Sequence, residues 1–207
     1  YNISETKIYV LENAVEIKDL ILHKNYSDVL TLIFLGRIDE NKGFQEIINA
    51  LKDINNKIEI RFLLCGTGPY ENNVISELSK ILGDKFEYHG IVSGKVKDDL
   101  LRKSHIFILP SYFEGLPNAV LEAMSFGTVP ICTNVGSIPH VIEDKKNGFL
   151  IPVRNSSLII DIVGQLNSDR DYLKKMGLSS HKLIVERYSI HNYVEKLNKI
   201  YEITYLK

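Results

Sequence analysis

From about residue 29 onward, continuous apolar runs alternate with stretches whose apolar positions recur every three or four residues. Val29, Leu30, Leu32, Ile33, Phe34 and Leu35 form a run broken only by Thr31 and closed by Gly36, the pattern of a strand buried on both faces. Within residues 43–54, Phe44, Ile47, Ile48 and Leu51 fall at the spacing of a helix with one buried face. The alternation continues with a strand over 58–64, a helix over 71–82 and a short strand over 86–89. It goes on with a helix over 96–103, a strand over 105–109, a helix over 118–126, a strand over 129–133 and an extended piece over 149–153. Beyond residue 155 the pattern is helical, over 157–166, 170–187 and 190–205.

Strand and helix in regular succession imply parallel strands joined by right-handed crossovers. The expected fold is therefore α/β, a doubly wound, Rossmann-like parallel sheet with a helical C-terminal tail. Ligands of such sheets bind beyond the carboxyl ends of the strands. The expected organisation is a first segment over residues 1–28, the sheet domain over 29–187 and a terminal helix over 188–207. The tail carries Tyr172, Tyr188, Tyr193, Tyr201 and Tyr205, which either pack between helices or form a face that docks on a further domain.

Composition narrows the function. Hydrophobic residues make up 44% of the 207, enough for a sizeable core. The net charge of −1, from 25 basic and 26 acidic residues, does not suggest a nucleic-acid or anionic-membrane partner. No apolar run approaches the roughly 20 residues of a membrane span, and Tyr1-Asn2-Ile3-Ser4-Glu5 does not open a signal peptide. The chain reads as a piece of something longer. Cys65 and Cys132 each end an apolar run without paired spacing or a nearby histidine, so they read as buried hydrophobes rather than redox or metal groups.

Chemistry is expected at the strand ends. After the first strand, Gly36-Arg37 and Lys42-Gly43 place two cations around a turn into a helix. Arginine offers a planar fork of donors, lysine a point charge and the helix start unpaired amides, a group suited to a diphosphate. The same segment could also be a solvated loop with two surface cations. Gly66-Thr67-Gly68-Pro69 mimics the start of a dinucleotide fingerprint, but Glu71 stands where its third glycine belongs, so it reads as a tight turn. The richest segment is Pro110-Ser111-Tyr112-Phe113-Glu114-Gly115-Leu116-Pro117-Asn118, running into a helix that carries Glu122. Amides around Gly115, Leu116 and Asn118 would face an anion, with Pro117 suited to the first turn. Glu122 leans back toward the same mouth and could accept from two adjacent ribose hydroxyls, while Glu114 could bind sugar hydroxyls.

Two glutamates separated by seven residues in this setting resemble the signature of glycosyltransferase family 4, retaining enzymes of the GT-B architecture. Gly36-Arg37 with Lys42-Gly43 is similar to the family's diphosphate-binding pair, and Gly66-Thr67-Gly68-Pro69 to its second-strand turn. His89-Gly90-Ile91 is similar to its nucleobase loop, and Lys7-Ile8-Tyr9-Val10 with Asn13 to its interdomain stretch. The resemblance covers roughly residues 7–205. It implies the donor-binding half of an enzyme that moves a hexose from a nucleotide-diphosphate sugar to a hydroxyl acceptor, in polysaccharide or glycoconjugate synthesis. Arg37, Lys42 and Glu114 would be catalytic. Gly36, Gly90, Ile91, Gly115, Leu116, Pro117, Asn118 and Glu122 would bind substrate. No metal and no cofactor are expected, because arginine and lysine take the role a divalent ion plays elsewhere.

The resemblance places the acceptor, a saccharide or lipid-linked saccharide, mainly on an N-terminal half. The piece alone would then transfer nothing, and the enzyme would work in the cytoplasm or at the inner membrane face without spanning it. One segment departs from the family. Thr133-Asn134-Val135-Gly136-Ser137-Ile138-Pro139-His140 has Ser137 and His140 in place of a glycine and a glutamate, so this loop is left outside the expected site. Two alternatives remain. One is a nucleotide-sugar 2-epimerase, which would want further acid/base residues from the other half. The other is a non-catalytic nucleotide-binding domain, against which the two glutamates and two cations argue.

Overall fold

A computed structural model describes residues 8–18 and 24–205. Lys7 of the expected interdomain stretch lies outside the described residues. Six strands follow in chain order: β1 (Leu30–Leu35), β2 (Ile60–Cys65), β3 (Phe86–Gly90), β4 (Ile106–Leu109), β5 (Val129–Thr133) and β6 (Phe149–Ile151). Helices α1 (Phe44–Asn55), α2 (Glu71–Leu82), α3 (Gly94–Lys103) and α4 (Asn118–Ser125) connect the first five strands. Three more, α5 (Ser156–Ser168), α6 (Arg170–Arg187) and α7 (Ile190–Tyr205), end the described chain.

The strands form one parallel sheet in the order β3-β2-β1-β4-β5-β6. The chain winds outward from β1 to β3, then returns to lay β4 on the other side of β1. The β1/β4 boundary is thus the topological switch point, where the connecting loops part and leave a crevice beyond the strand ends. Right-handed crossovers put α1 and α2 on one face of the sheet and α3 and α4 on the other. On the first face α1 packs against α2 and α5, and on the second α4 packs against α6.

Burial explains the unbroken apolar strands. Leu30, Leu32, Ile33 and Phe34 of β1 and all of β4 are buried, as a strand covered on both faces requires. Phe34 meets Phe44 of α1 with ring centroids 4.6 Å apart, fixing the start of α1 over the end of β1. Tyr188 is wholly buried at the α6–α7 junction. Its hydroxyl donates to the His140 carbonyl at 3.3 Å. The junction also exchanges backbone hydrogen bonds with Val15, tying the early segment to the tail. Lys24 is buried under the C-terminus of α3, where its ammonium donates to the carbonyls of Leu101 and Ser104 and to Thr128 Oγ1. Its donors satisfy orphan carbonyls at the helix end, while burial pushes the Lys24 pKa down to about 7. Of the tail tyrosines, Tyr188 belongs to the core, Tyr172 caps a loop by donating to the Lys145 carbonyl at 3.1 Å, and Tyr201 is exposed.

Candidate active site

The loop after β1 is pinned where it must turn. Ile38 is fully buried, its amide donates to the Thr67 carbonyl and its carbonyl accepts from Tyr70. Asp39 caps a single 3-10 turn, Glu40–Lys42, by accepting from the Asn41 amide. Gly43 then starts α1 with its Cα against Pro110: a Cβ there would lie 2.1 Å from the Pro110 carbonyl oxygen. Only glycine allows this approach, and it brings the β1 and β4 loops into contact. Lys42 therefore points across the switch point. Arg37 stays largely in solvent at the end of β1, with Nε 3.4 Å from Asp39 Oδ2.

The loop after β4 meets it. Glu114 Oε1 accepts from Lys42 Nζ at 2.6 Å and from Ser111 Oγ at 2.7 Å, with the carboxylate nearly buried. Below it the Cys132 thiol is pushed well above its usual range, first by burial and then by the Glu114 charge. Gly115 and Leu116 carry the chain to Pro117, which precedes α4 in an extended conformation. No side chain caps α4, so the amides at its start remain available to an anion. Two outside contacts hold this turn: Asn13 Nδ2 donates to the Leu116 carbonyl at 2.9 Å, and the Ser137 amide to that of Gly115 at 3.0 Å.

Glu122, one turn into α4, faces sideways to α3. Its Oε1 accepts from Lys97 Nζ at 2.7 Å, both side chains about a quarter exposed. The pair lines a cavity of about 340 Å³ together with Gly94, Asn118, Val15 and Lys18. Gly90 ends β3 beside the second-strand turn, its carbonyl accepting from the Gly66 amide at 2.6 Å. Ile91, 80% exposed, follows on open backbone.

The expected residues thus fall into two neighbouring groups. Lys42 and Glu114 touch, with Arg37 and Gly36 on the same loop. Glu122 and Asn118 share the adjoining cavity. Sequence reasoning missed the partners that hold them: Ser111 on Glu114, Lys97 on Glu122, and Tyr112, whose hydroxyl donates to both carboxylate oxygens of buried Glu46 at 2.9 and 3.0 Å. The loop left outside the site packs directly against it. Gly136 lies beneath Glu114, while Ser137 and His140 line a separate cavity of about 360 Å³ with Leu116 and Asn13. The two glycines that permit these approaches were legible as glycines, but not as to what they pass.

Cations, helix-start amides and paired carboxylates at the switch point of a doubly wound sheet suit a phosphorylated, hydroxyl-rich ligand. The family pattern of the glycosyl transferases group 1 matches residues 22–182. The chain belongs to this family. N-acetyl-alpha-D-glucosaminyl L-malate synthase of Bacillus anthracis is 28% identical, covering 97% of this chain and 52% of its own. Among solved structures, the C-terminal domain of the group 1 protein LpcC of Francisella tularensis is 25% identical with a TM-score of 0.70, over 78% of this chain and 87% of that one. S. aureus TarM, solved with UDP, has a TM-score of 0.82 at 20% identity, over 97% of this chain and 40% of that one. The chain spans about half the length of the curated relatives it matches. These likenesses agree with the Rossmann-like parallel sheet flanked by helices, with its helical C-terminal tail, that the sequence led us to expect.

Among the described residues no three histidine, cysteine, aspartate or glutamate side chains stand together as metal ligands. No described helix is long and apolar enough to cross a membrane.

Proposed function

We propose that the chain is the donor-binding half of a retaining, family 4-type glycosyltransferase that uses a nucleoside-diphosphate sugar. The observation that carries this reading is the Lys42–Glu114 pair, 2.6 Å apart at the switch point with Arg37 on the same loop. A diphosphate entering there exchanges a carboxylate for phosphate on Lys42 and releases Glu114 to accept from the hydroxyls of the sugar. Arg37 adds its fork to the same oxygens, and the amides from Gly115 to Asn118 face the diphosphate from α4. Glu122 accepts from the ribose diol in the adjoining cavity, and backbone around Gly90 and Ile91 edges the base. Gly36 leaves room for close passage of the phosphates.

Reaction then consists of breaking the anomeric carbon–oxygen bond as an acceptor hydroxyl attacks on the same face, its proton passing to an oxygen of the departing diphosphate. The bonding pair leaves on the diphosphate, whose growing charge Arg37, Lys42 and the α4 amides stabilise without reorganisation. These groups leave no step that requires a metal or cofactor. The acceptor saccharide, free or lipid-linked, sits on the other half of the enzyme, so this piece alone takes up donor and transfers nothing. The cytoplasm or the inner membrane face, in polysaccharide or glycoconjugate synthesis, is the setting this reading implies. UDP bound to TarM makes uracil the first base to try.

Calorimetric titration with UDP, GDP and ADP, each with a chelator present, tests the reading. Uptake of one nucleotide, lost in Glu122→Ala and in Arg37→Ala, is the expected result. A nucleotide bound equally well by both variants would place its site elsewhere and overturn the assignment.

A further inference from the structure

Tyr112 lies two residues before Glu114 and is bonded at one end to the 3-10 turn that carries Lys42 and at the other to α1, which follows that turn. Its amide donates to the Asn41 carbonyl at 2.8 Å, the residue next to Lys42. Its hydroxyl donates to both oxygens of Glu46, one helical turn beyond Lys42 on α1. Glu46 is only 7% exposed, so the bond is a charge-assisted one shielded from water. On the open side Arg154 stacks its guanidinium 5.3 Å from the centre of the Tyr112 ring. Arg154 holds a left-handed backbone, φ +59°, a conformation that residues other than glycine rarely adopt. Tyr112, on the loop after β4, therefore joins the turn after β1 through its amide, α1 through its hydroxyl and the segment after β6 through its ring.

We infer that Tyr112 is a positioning residue, clamped by Glu46 and Arg154, that sets the separation of Lys42 and Glu114 and so pre-forms the phosphate- and sugar-facing groups. Tyr112 itself touches neither reacting group. Its carboxylate anchor fixes the start of α1 relative to the β4 loop, and without the anchor the spacing of Lys42 and Glu114 rests on the Gly43–Pro110 contact and the Tyr112 amide–Asn41 carbonyl bond. Preorganisation of this kind is held by the supporting contacts rather than by the site residues themselves.

The test has two arms, both on the chain as it stands. The first reads the Lys42 ammonium by ¹⁵N-resolved NMR of the ligand-free protein, where bonding to Glu114 slows proton exchange enough to give a cross-peak. That peak is expected to be lost in Tyr112→Phe and Glu46→Leu and kept in Glu46→Gln, whose amide oxygen still accepts from the phenol. Melting temperatures within a few degrees of one another confirm that the variants share the fold, and if Tyr112→Phe does not fold, the Glu46 pair decides. The second arm measures nucleoside-diphosphate affinity, expected to fall by about tenfold in Tyr112→Phe and Glu46→Leu but by less than about twofold in Glu46→Gln. Only this arm rests on the donor-site reading: a wild-type chain that binds no nucleotide overturns that reading, while the resonance still decides the clamp. A Lys42 signal unchanged in Glu46→Leu, or no such signal in the wild-type chain, overturns the inference.

Discussion

Gly136 offers a sharp test of how the site is built. An alanine Cβ at this position would lie 1.9 Å from the Glu114 carbonyl oxygen, 2.8 Å from the carbon bearing it and 2.9 Å from the Gly115 carbonyl oxygen. All three are backbone atoms, so no side chain can swing aside; either the Glu114 loop or the Gly136 turn must move. The backbone angle, φ +57°, adds its own cost. Gly94 supplies the control, since it has φ +53° but nothing within 4 Å of an added Cβ. The conformational cost alone is about 1–2 kcal/mol and applies to both substitutions. Overpacking adds about 1–3 kcal/mol at Gly136 only, for a total of about 2–5 kcal/mol there. In a domain of this size each kcal/mol lowers the melting temperature by about 2–4 °C. Chemical denaturation of the two variants beside the wild type measures the difference directly. Gly136→Ala is expected to lose more stability than Gly94→Ala by at least about 1 kcal/mol, and to lose the Lys42–Glu114 contact as its loop shifts. Equal losses in the two variants would refute the packing of this turn against Glu114.

Three further outcomes are expected. His105 is buried, its Nδ1 accepting from the Thr31 amide at 3.0 Å and its Nε2 bonded to the Asn25 carbonyl at 2.9 Å, and burial pushes its pKa down to about 4. With the folded value below the unfolded one, the unfolded chain takes up the proton first, so stability is full above about pH 6.5 and falls by roughly 3 kcal/mol toward pH 4; His105→Asn should flatten that slope in urea melts. Burial also raises the Cys65 thiol to about 12 and the Cys132 thiol well above its usual range, so a thiol reagent at neutral pH should label neither until the chain is unfolded. Under the proposed function, Lys42→Ala in the complete enzyme should lower turnover by roughly 10²–10³-fold, the cost of removing one preorganised donor at a developing charge; assays of sugar transfer at saturating donor would check it, and an unchanged rate would remove Lys42 from the chemistry.

The order and type of the elements were legible because strands covered on both faces leave unbroken apolar runs, and none of β1, β4 or β5 is interrupted by more than one polar residue. Boundaries slipped where local chemistry gave a contrary signal. Gly94 reads as a helix breaker, yet α3 begins on it two residues before the expected start. Ile58 reads as strand, yet its amide and that of Lys57 still bond to the Ile54 carbonyl and close α1, which delays β2 to Ile60. In the site, Glu114 and Glu122 were legible because their spacing is local. Their pairings were not: Lys97 lies 25 positions from Glu122 and Lys42 lies 72 from Glu114, on elements that only the strand order brings together. Likewise the 133–140 loop looked peripheral because its residue types depart from the resembled pattern, whereas its contribution is made by backbone, through Gly136 and the Ser137 amide.

Those long-range partners give the ligand-free site a common logic. Each signature carboxylate is neutralised by one lysine from a neighbouring element, Glu114 by Lys42 and Glu122 by Lys97, with every side chain between 9 and 28% exposed. A carboxylate so sheltered would be costly to leave unpaired, and the pairing holds both in place before any ligand arrives. The two pairs differ in what a donor would do to them. Lys42 can move to phosphate only if Glu114 finds other donors, and Ser111 Oγ at 2.7 Å supplies one while sugar hydroxyls supply the rest. A nucleoside diphosphate without its sugar leaves that second requirement unmet, so under the proposed function the pair itself favours the intact sugar nucleotide over the spent one. Lys97 faces no phosphate in this arrangement and can stay on Glu122 while the ribose diol donates to the remaining carboxylate oxygen. Discrimination at the sugar and anchoring at the ribose are then carried by two ion pairs of similar length, of which only the first must break.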